Sequence, residues 1–304
     1  MSYQNVGKPR IYLNLAEYLA VSKNVSIHPV FRTLPVKVVE LDPGNVPNIN
    51  FGVDLSFNQY IAFLGYDGNA AVFHDTSQID VTNPIVGDIN TPGYTIIDIN
   101  QRPTDIASST PFNGEYTGHI GVGTVAMGIY YNFPTSPDLN LSLSYEYESV
   151  KEITTLGGHT LTNNTYIRPP KWGNIGSWEF LGGDPDIARS GRRIWEISFS
   201  YMSDDKIFPS NLGLVNNDGW NGSEYASETN STDGTLLDSS YVGSADTLQR
   251  AIHLTYGGRL PFIFQPDSNN NQVFAIAKFD QKSFKFEQVA YNVYNVKLKI
   301  REVW

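Results

Sequence analysis

The sequence predicts an all-β fold, on three observations. Apolar and polar residues alternate with a period of two in several segments, which is typical of strands that bury one face. Pairs of turn residues separate these segments. Charged residues make up only 17% of the 304 residues, below the roughly 25% of an average soluble protein, while 26 Gly and 17 Pro favour turns.

Three segments carry the clearest alternation. Residues 139–147 alternate without a break, residues 195–201 do the same, and Val296 to Ile300 follow near the end of the sequence. We expect each segment to place an apolar row against the core and a polar row in solvent. Shorter strands are predicted at 59–64, 71–74, 94–99, 124–131, 260–264, 273–279 and 283–289.

Turn residues place the connections between these strands. The turn pairs are Asp67-Gly68, Asn113-Gly114, Gly157-Gly158 and Gly257-Gly258. The last pair lies between the apolar segments 252–256 and 260–264, which predicts a hairpin there. Many short strands joined by regular turns indicate a β-sandwich or a barrel.

Only one segment, close to the N-terminus, predicts a helix. Asn14 can cap the helix and Glu17 can reach back to the cap, as in a capping box. Leu15, Tyr18 and Leu19 would then share one face. We expect about two turns of helix.

Two segments are predicted to be long loops. Residues 75–93 show little periodicity, and residues 209–247 are rich in Asn, Ser, Gly and Asp. Residues 216–246 contain six acidic residues and no basic ones. This composition favours a segment that orders on binding a partner, and the alternative is a mobile loop without a role. The candidate partner-binding residues of this acidic loop are Trp220, Tyr225 and Tyr241.

The last predicted strand covers Val296 to Trp304. Its apolar residues are expected in the core, with Trp304 closing the core or an interface. The opposite row is cationic, which suits an edge protected from aggregation or a surface that faces an acidic partner. The candidate partner-binding residues in this row are Lys297, Lys299 and Arg301.

Charge and composition exclude several classes of function. The net charge is −10, and the 21 Lys and Arg residues form no run. A nucleic-acid partner and an anionic membrane surface are therefore not expected. No cysteine is present, so disulfides and thiolate sites cannot form. No segment approaches the 18 consecutive apolar residues of a membrane span.

Motifs of catalytic and cofactor sites do not occur. The histidines lack metal-ligand spacing, and neither the Gly-x-Ser-x-Gly motif nor a phosphate loop is present. We therefore expect no cofactor and no enzyme. Gly121, Gly123 and Gly128 lie among strands and are interpreted as tight strand packing. The five histidines are His28, His74, His119, His159 and His253.

Oxygen-rich and aromatic clusters leave three alternatives open. Paired carboxylates, Glu146 with Glu148 and Asp184 with Asp186, could serve a glycosidase, although solvated faces are the simpler interpretation. Side chains in 216–233 could bind calcium. An aromatic surface could bind sugars, although such rows more often form cores or subunit interfaces. The aromatic candidates are Tyr66, Tyr94, Tyr116, Tyr130 and Trp220.

Two parts of the chain resemble structural proteins of tailed bacteriophages. The first resembles a jelly-roll module of virion proteins and comprises NQYIAFLGY at 58–66, IGVG at 120–123, GIYYNFP at 128–134 and SPDL at 136–139. The second is similar to distal-tail and baseplate β-sandwich domains. It comprises PPKWG at 169–173, SWE at 177–179, GRRIW at 191–195, SFSY at 198–201, LPFIFQPD at 260–267 and VYNVKLKIREVW at 293–304.

The resemblance implies a virion component that assembles into a ring around the tail axis. Its partners would be other tail proteins and copies of itself, and its location the virion. The run from Pro47 to Phe51 and the turn at Gly157-Gly158 bracket an insert, so we expect a tail-type β-sandwich or barrel from 1–48 and 160–304, with a jelly-roll insert at 49–159. Simple distal-tail proteins carry the tail-binding sandwich first, whereas here the similar pattern comes last. A carbohydrate-binding adsorption module, which would bind host surface glycans, is the alternative function.

Overall fold

The fold was obtained as a computed structural model. It describes residues 6–22, 24, 26–33, 39–41, 48–50, 59–66, 72–74, 84–86, 93–98, 113–117, 120–147, 151–163, 171–172, 175–176, 191–208, 247–271 and 273–303.

Strands dominate the described residues, which confirms the all-β prediction at the level of fold class. The first ten strands are β1 Arg10–Asn14, β2 Val39–Leu41, β3 Asn48–Asn50, β4 Gln59–Tyr66, β5 Val72–His74, β6 Pro84–Val86, β7 Gly93–Asp98, β8 Asn113–Thr117, β9 Ile120–Val122 and β10 Thr124–Asn132. The later strands are β11 Ser142–Glu146, β12 Lys151–Thr154, β13 Thr160–Asn163, β14 Lys171–Trp172, β15 Ile175–Gly176, β16 Arg192–Ser203, β17 Phe262–Gln265, β18 Ala275–Phe279, β19 Phe286–Ala290 and β20 Val293–Glu302.

One large antiparallel sheet of 11 strands organises the fold. Its strand order is β11-β16-β20-β18-β17-β1-β10-β4-β7-β6, and β19 pairs with β20 beside this path. The remaining pairs form smaller sheets: β12-β13, β14-β15, β2-β9 and β3-β8-β5. Strands from both predicted domains are hydrogen bonded within the large sheet, since β1 pairs with both β10 and β17. The division at residues 48 and 160 remains a prediction.

Two hydrophobic clusters cover opposite faces at the centre of the large sheet. Ile11 and Leu13 of β1 belong to the larger cluster, whereas Tyr12 between them belongs to the smaller one. Strands buried on both faces read as continuous apolar runs, which explains why β1 shows no alternation. Gly128 of β10 confirms tight strand packing, because a Cβ atom there would collide with the Leu13 carbonyl oxygen.

The predicted C-terminal strand lies inside the large sheet. Val296, Leu298 and Ile300 are buried, with Leu298 only 2% exposed, as predicted. Of the two interpretations of its cationic row, the edge strand is wrong, since β20 pairs with β16 on one side and with β18 and β19 on the other. β20 ends at Glu302, and Trp304 lies outside the described residues.

The predicted N-terminal helix is confirmed as α1, Leu15–Ser22. The Asn14 side chain accepts hydrogen bonds from the amides of Ala16 and Glu17, so Asn14 is the cap. Glu17 does not return to the cap; its carboxylate accepts from the Thr33 amide at 3.2 Å instead. Burial raises the pKa of Glu17 above its usual value despite these hydrogen bonds.

Further helical segments correct the expectation of a single helix. They are α2 Asp204–Ile207, α3 Leu248–Leu254 and a 3-10 turn at Pro29–Phe31. α3 replaces the first strand of the hairpin predicted around Gly257-Gly258, and only its second strand exists, as β17. The glycine pair instead follows the helix end, where Gly257 and Gly258 both have positive φ.

Two predicted strands differ in which side chains they bury. A bulge between Phe199 and Met202 shifts the register of β16. Tyr201 adopts a φ of 61° and is exposed, while Met202 takes the buried position.

The strand predicted at 139–147 is shorter, since β11 covers only Ser142–Glu146. The predicted loop at 75–93 also contains β6.

Candidate assembly surface

Exposed apolar side chains are concentrated in one short stretch of sequence. Of 12 large hydrophobic residues exposed in the described part of the chain, seven lie between 139 and 161. Five of them lie on β11, which we call the edge strand, or on the β12-β13 hairpin at 151–163, which we call the arm, and the other two lie just before and just after the edge strand. The seven residues are Leu139, Leu143, Tyr145, Tyr147, Ile153, Leu156 and Leu161. Large exposed apolar patches mark interaction sites, so this stretch is the candidate assembly surface.

The edge strand is hydrogen bonded on one side only within the described residues. It pairs with β16 over all five of its residues without a bulge. Leu143 lies directly opposite Trp195, which is buried in the larger cluster. Leu143 is nevertheless 48% exposed and Tyr145 is 51% exposed, because nothing in the described structure covers them on the outer side. The sequence predicted this row as core, and that expectation is wrong for Leu143 and Tyr145, whereas Leu141 is partly buried against the larger cluster.

The segment before the edge strand is fixed firmly to β16. Both the amide and the hydroxyl of Ser200 donate to the Asp138 carboxylate, the hydroxyl at 2.8 Å. The Ser198 hydroxyl donates to the Asn140 side chain at 2.6 Å. The edge strand is therefore preorganised rather than held by the sheet ladder alone.

The arm extends from the edge strand and is exposed on both faces. Ile153 and Leu161 are cross-strand partners on one face, and they are 64% and 60% exposed. Leu156 is fully exposed in the turn. The Thr155 amide donates to the His159 carbonyl at 2.8 Å, and Gly158 takes a φ of 81° that only glycine adopts readily. This confirms the turn predicted at Gly157-Gly158.

The predicted cationic row lies on β20, which β16 separates from the edge strand. Lys299 makes ion pairs with Glu196 at 3.7 Å and with Asp280 at 3.5 Å. Arg301 pairs with Glu146 of the edge strand at 2.6 Å. Two of the three cations thus have acidic neighbours within the chain, and Lys297 is exposed. Their role in binding a partner remains a prediction.

A buried ion pair joins β16 to β20 behind the edge strand. The Arg193 guanidinium contacts both carboxylate oxygens of Glu302, at 2.8 and 3.0 Å, and donates to the Phe274 carbonyl at 2.6 Å. It also lies 5.0 Å from the centre of the Trp195 ring. These contacts satisfy both buried charges, so the pair fixes strand positions and offers no free group for chemistry.

The other sequence candidates are not brought together by the structure. Tyr94 and Tyr130 are buried in the smaller cluster, so the alternative of an exposed sugar-binding surface is wrong for these two and the interpretation as core is confirmed. His28 caps the 3-10 turn by accepting from the Val30 amide. The acidic loop, with Trp220, Tyr225 and Tyr241, lies outside the described residues. So do Glu148, Asp184, Asp186 and the calcium candidates at 216–233.

Geometry and comparisons supply no further site. The described residues contain no group of three or more His, Asp or Glu residues that could hold a metal ion. Among their helices, none is long and apolar enough to span a membrane. No family model, curated protein or solved structure matches the chain significantly.

Sequence reasoning missed the arm as a candidate site. A signal was present, because Ile153 and Leu161 lie at equal distances from the Gly157 turn and can therefore face each other across a hairpin. Sequence patterns record apolar alternation but not what covers the apolar row. That both strands of the arm are exposed is seen only in the fold.

Proposed function

We propose that this chain is a structural component of a tailed-bacteriophage virion, in the tail or baseplate, and that it acts by assembling with copies of itself and other tail proteins. The observation that carries the proposal is the concentration of exposed apolar side chains on the edge strand and the arm. A surface of this kind suits permanent contacts between chains, because apolar area buried in an assembly is the main source of its stability.

The sequence resemblance over 166–304 supplies the kind of assembly. Within that stretch, β16, β17, β18, β19 and β20 form consecutive parts of the large sheet. On β20, the cationic row alternates with buried Val296, Leu298 and Ile300, so β20 and the strands paired with it can serve as a rigid plate on which neighbouring copies dock. A ring of such plates is the form that the resemblance to distal-tail and baseplate proteins implies.

A non-enzymatic role is part of the proposal. Glu146, one of the glycosidase candidates, is ion paired with Arg301, and Asp138 accepts two hydrogen bonds from Ser200. Both carboxylates therefore hold structure. The glycosidase hypothesis predicts sugar hydrolysis that is lost on Glu146→Gln or Asp138→Asn.

Localisation in purified phage particles tests the proposal directly. Mass spectrometry of the particles and labelling of the chain for electron microscopy should detect it in many copies at the tail or its distal end. Its absence from the particles would contradict the proposal. Binding on a glycan array, with a location at the tail tip, would instead favour the adsorption module.

A further inference from the structure

The arm is a hairpin whose two faces are not packed against the described part of the chain. A two-stranded hairpin alone is marginally stable in water, and the arm buries neither of its faces against the described residues. Ile153 and Leu161 nevertheless form an apolar cross-strand pair. The arrangement has the shape and chemistry of a segment that packs against another chain.

The edge strand offers a surface on which such a hairpin can pair. Exposed sheet edges usually carry Pro, Lys or a bulge that prevents pairing with other chains. Ser142 to Tyr145 contain none of these, and their pairing with β16 is regular. Leu143 also lies next to buried Trp195, so an added strand would extend an existing core.

We infer that the arm of one copy adds to β11 of a second copy, at the edge that no described strand occupies, as further strands of the large sheet. The inference rests on the proposed assembly into a ring. Side chains alternate across a sheet, so Ile153 and Leu161 can share the face of Leu143 and Tyr145. Main-chain hydrogen bonds would supply affinity, and the apolar row would select the face.

The same chain carries both halves, which identifies the occupant as a second copy. Each copy would give its arm to one neighbour and receive an arm from another. Such a head-to-tail contact closes into a ring when its rotation permits. The arm does not pair with the edge strand of its own chain, although only residues 147–150 separate them. A net charge of −10 disfavours nucleic acid or anionic lipid as the occupant.

Self-association of the full chain tests the inference. The variant Ile153→Lys/Leu161→Lys should weaken association in sedimentation velocity at least about tenfold, since burial of one large apolar side chain accounts for that much. Thr154→Lys is the matched control, because it adds a charge on the opposite face of the arm. Unchanged melting curves would show that each variant is folded. A wild type that stays monomeric at every concentration, or a double variant that associates like wild type, contradicts the inference.

A cross-linking experiment identifies the contact itself. The chain has no cysteine, so Ser144→Cys on the edge strand and Thr162→Cys on the arm introduce unique thiols on one face. A short bismaleimide should give covalent dimers when the two variants are mixed and not from either alone. Glu287→Cys, on β19, replaces Ser144→Cys in the control mixture and should give none. Absence of mixed dimers, or a cross-link within one chain when both cysteines are combined, would overturn the inference.

The two proposals fail separately. If the chain is located in phage particles but the arm variants assemble normally, the arm contact is wrong and the virion role stands. If the chain is absent from the particles, the virion role is wrong. Arm-dependent association in solution would then still support the contact.

Discussion

The centre of the large sheet and its outer end use the same antiparallel pairing with opposite results. β10 lies between β1 and β4, and eight of its nine residues are buried. Among the described residues β11 is paired on one side only, and four of its five residues are exposed. Both strands carry apolar side chains, so the difference lies in whether other parts of the fold cover those side chains. Apolar residues at the centre stabilise the fold, whereas those at the outer end are available to another chain.

The strongest expected effect is at the buried ion pair behind the edge. Arg193→Met leaves Glu302 buried without its partner, and breaking such a pair costs about 3–5 kcal/mol. We expect a large fall in the free energy of unfolding, measured by chemical denaturation. Arg193→Met/Glu302→Met removes both charges and should recover much of the loss. Equal destabilisation by the single and double variants would show that the charges themselves matter little.

The next effect compares the two faces of β20. Leu298→Ala should lower the free energy of unfolding by about 2–5 kcal/mol because Leu298 is buried in the larger cluster. Lys297→Ala, one residue away on the exposed face, should leave the melting curve nearly unchanged. If Leu298→Ala melted like wild type, the register of β20 described above would be wrong.

A matched pair of isoleucines compares the sheet centre with the arm. Ile263→Ala in β17 removes a fully buried side chain and should cost about 2–5 kcal/mol. Ile153→Ala in the arm should change the stability of the isolated chain by no more than about 0.5 kcal/mol. Thermal denaturation of dilute protein measures both. A comparable loss in the two variants would mean that the arm is packed against the fold.

The smallest expected effect is a pH dependence at Glu17. Burial raises its pKa in the folded chain, so the folded state binds this proton more tightly than the unfolded state. Its favourable contribution is therefore present at pH below the unfolded pKa and is lost as the pH rises through the folded pKa. Glu17→Gln keeps an acceptor for the Thr33 amide and does not ionise.

Melting temperatures as a function of pH measure this effect. Glu17→Gln should melt above wild type at pH 7, and the difference should shrink as the pH falls towards 4. Glu287→Gln, at an exposed position, is the control and should show no such trend. A lower melting temperature of Glu17→Gln at pH 7 would mean that the carboxylate is stabilising in the folded state.

The alternation of apolar and polar residues and the pairs of turn residues predict much of this fold. The strands around residues 60, 126 and 297 and the turn at Gly158 follow from these signals. The helix α3 was missed because a Gly-Gly pair resembles a hairpin turn as well as a helix end. Leu248, Ala251 and Ile252 recur at helical spacing and could have indicated it.

The sequence does not predict which apolar rows the rest of the fold covers, and the candidate site depends on this. Tyr94 and Tyr130 resemble a sugar-binding row in sequence but lie in a core, whereas Leu143 and Ile153 resemble core and are exposed. The expected edge at β20 proved central because three other strands pair with it. Each of these outcomes depends on contacts between residues far apart in sequence, which local periodicity does not encode.

Hydrogen-deuterium exchange on the free chain and on assembled phage particles tests whether the edge strand and the arm form the assembly surface. We expect assembly to slow exchange of the amides in 139–147 and 151–163 strongly, while β1 and β10, already covered in the free chain, change little. Unchanged exchange in 139–163 in the assembled state, with new protection elsewhere, would contradict the assignment of the edge strand and the arm as the assembly surface.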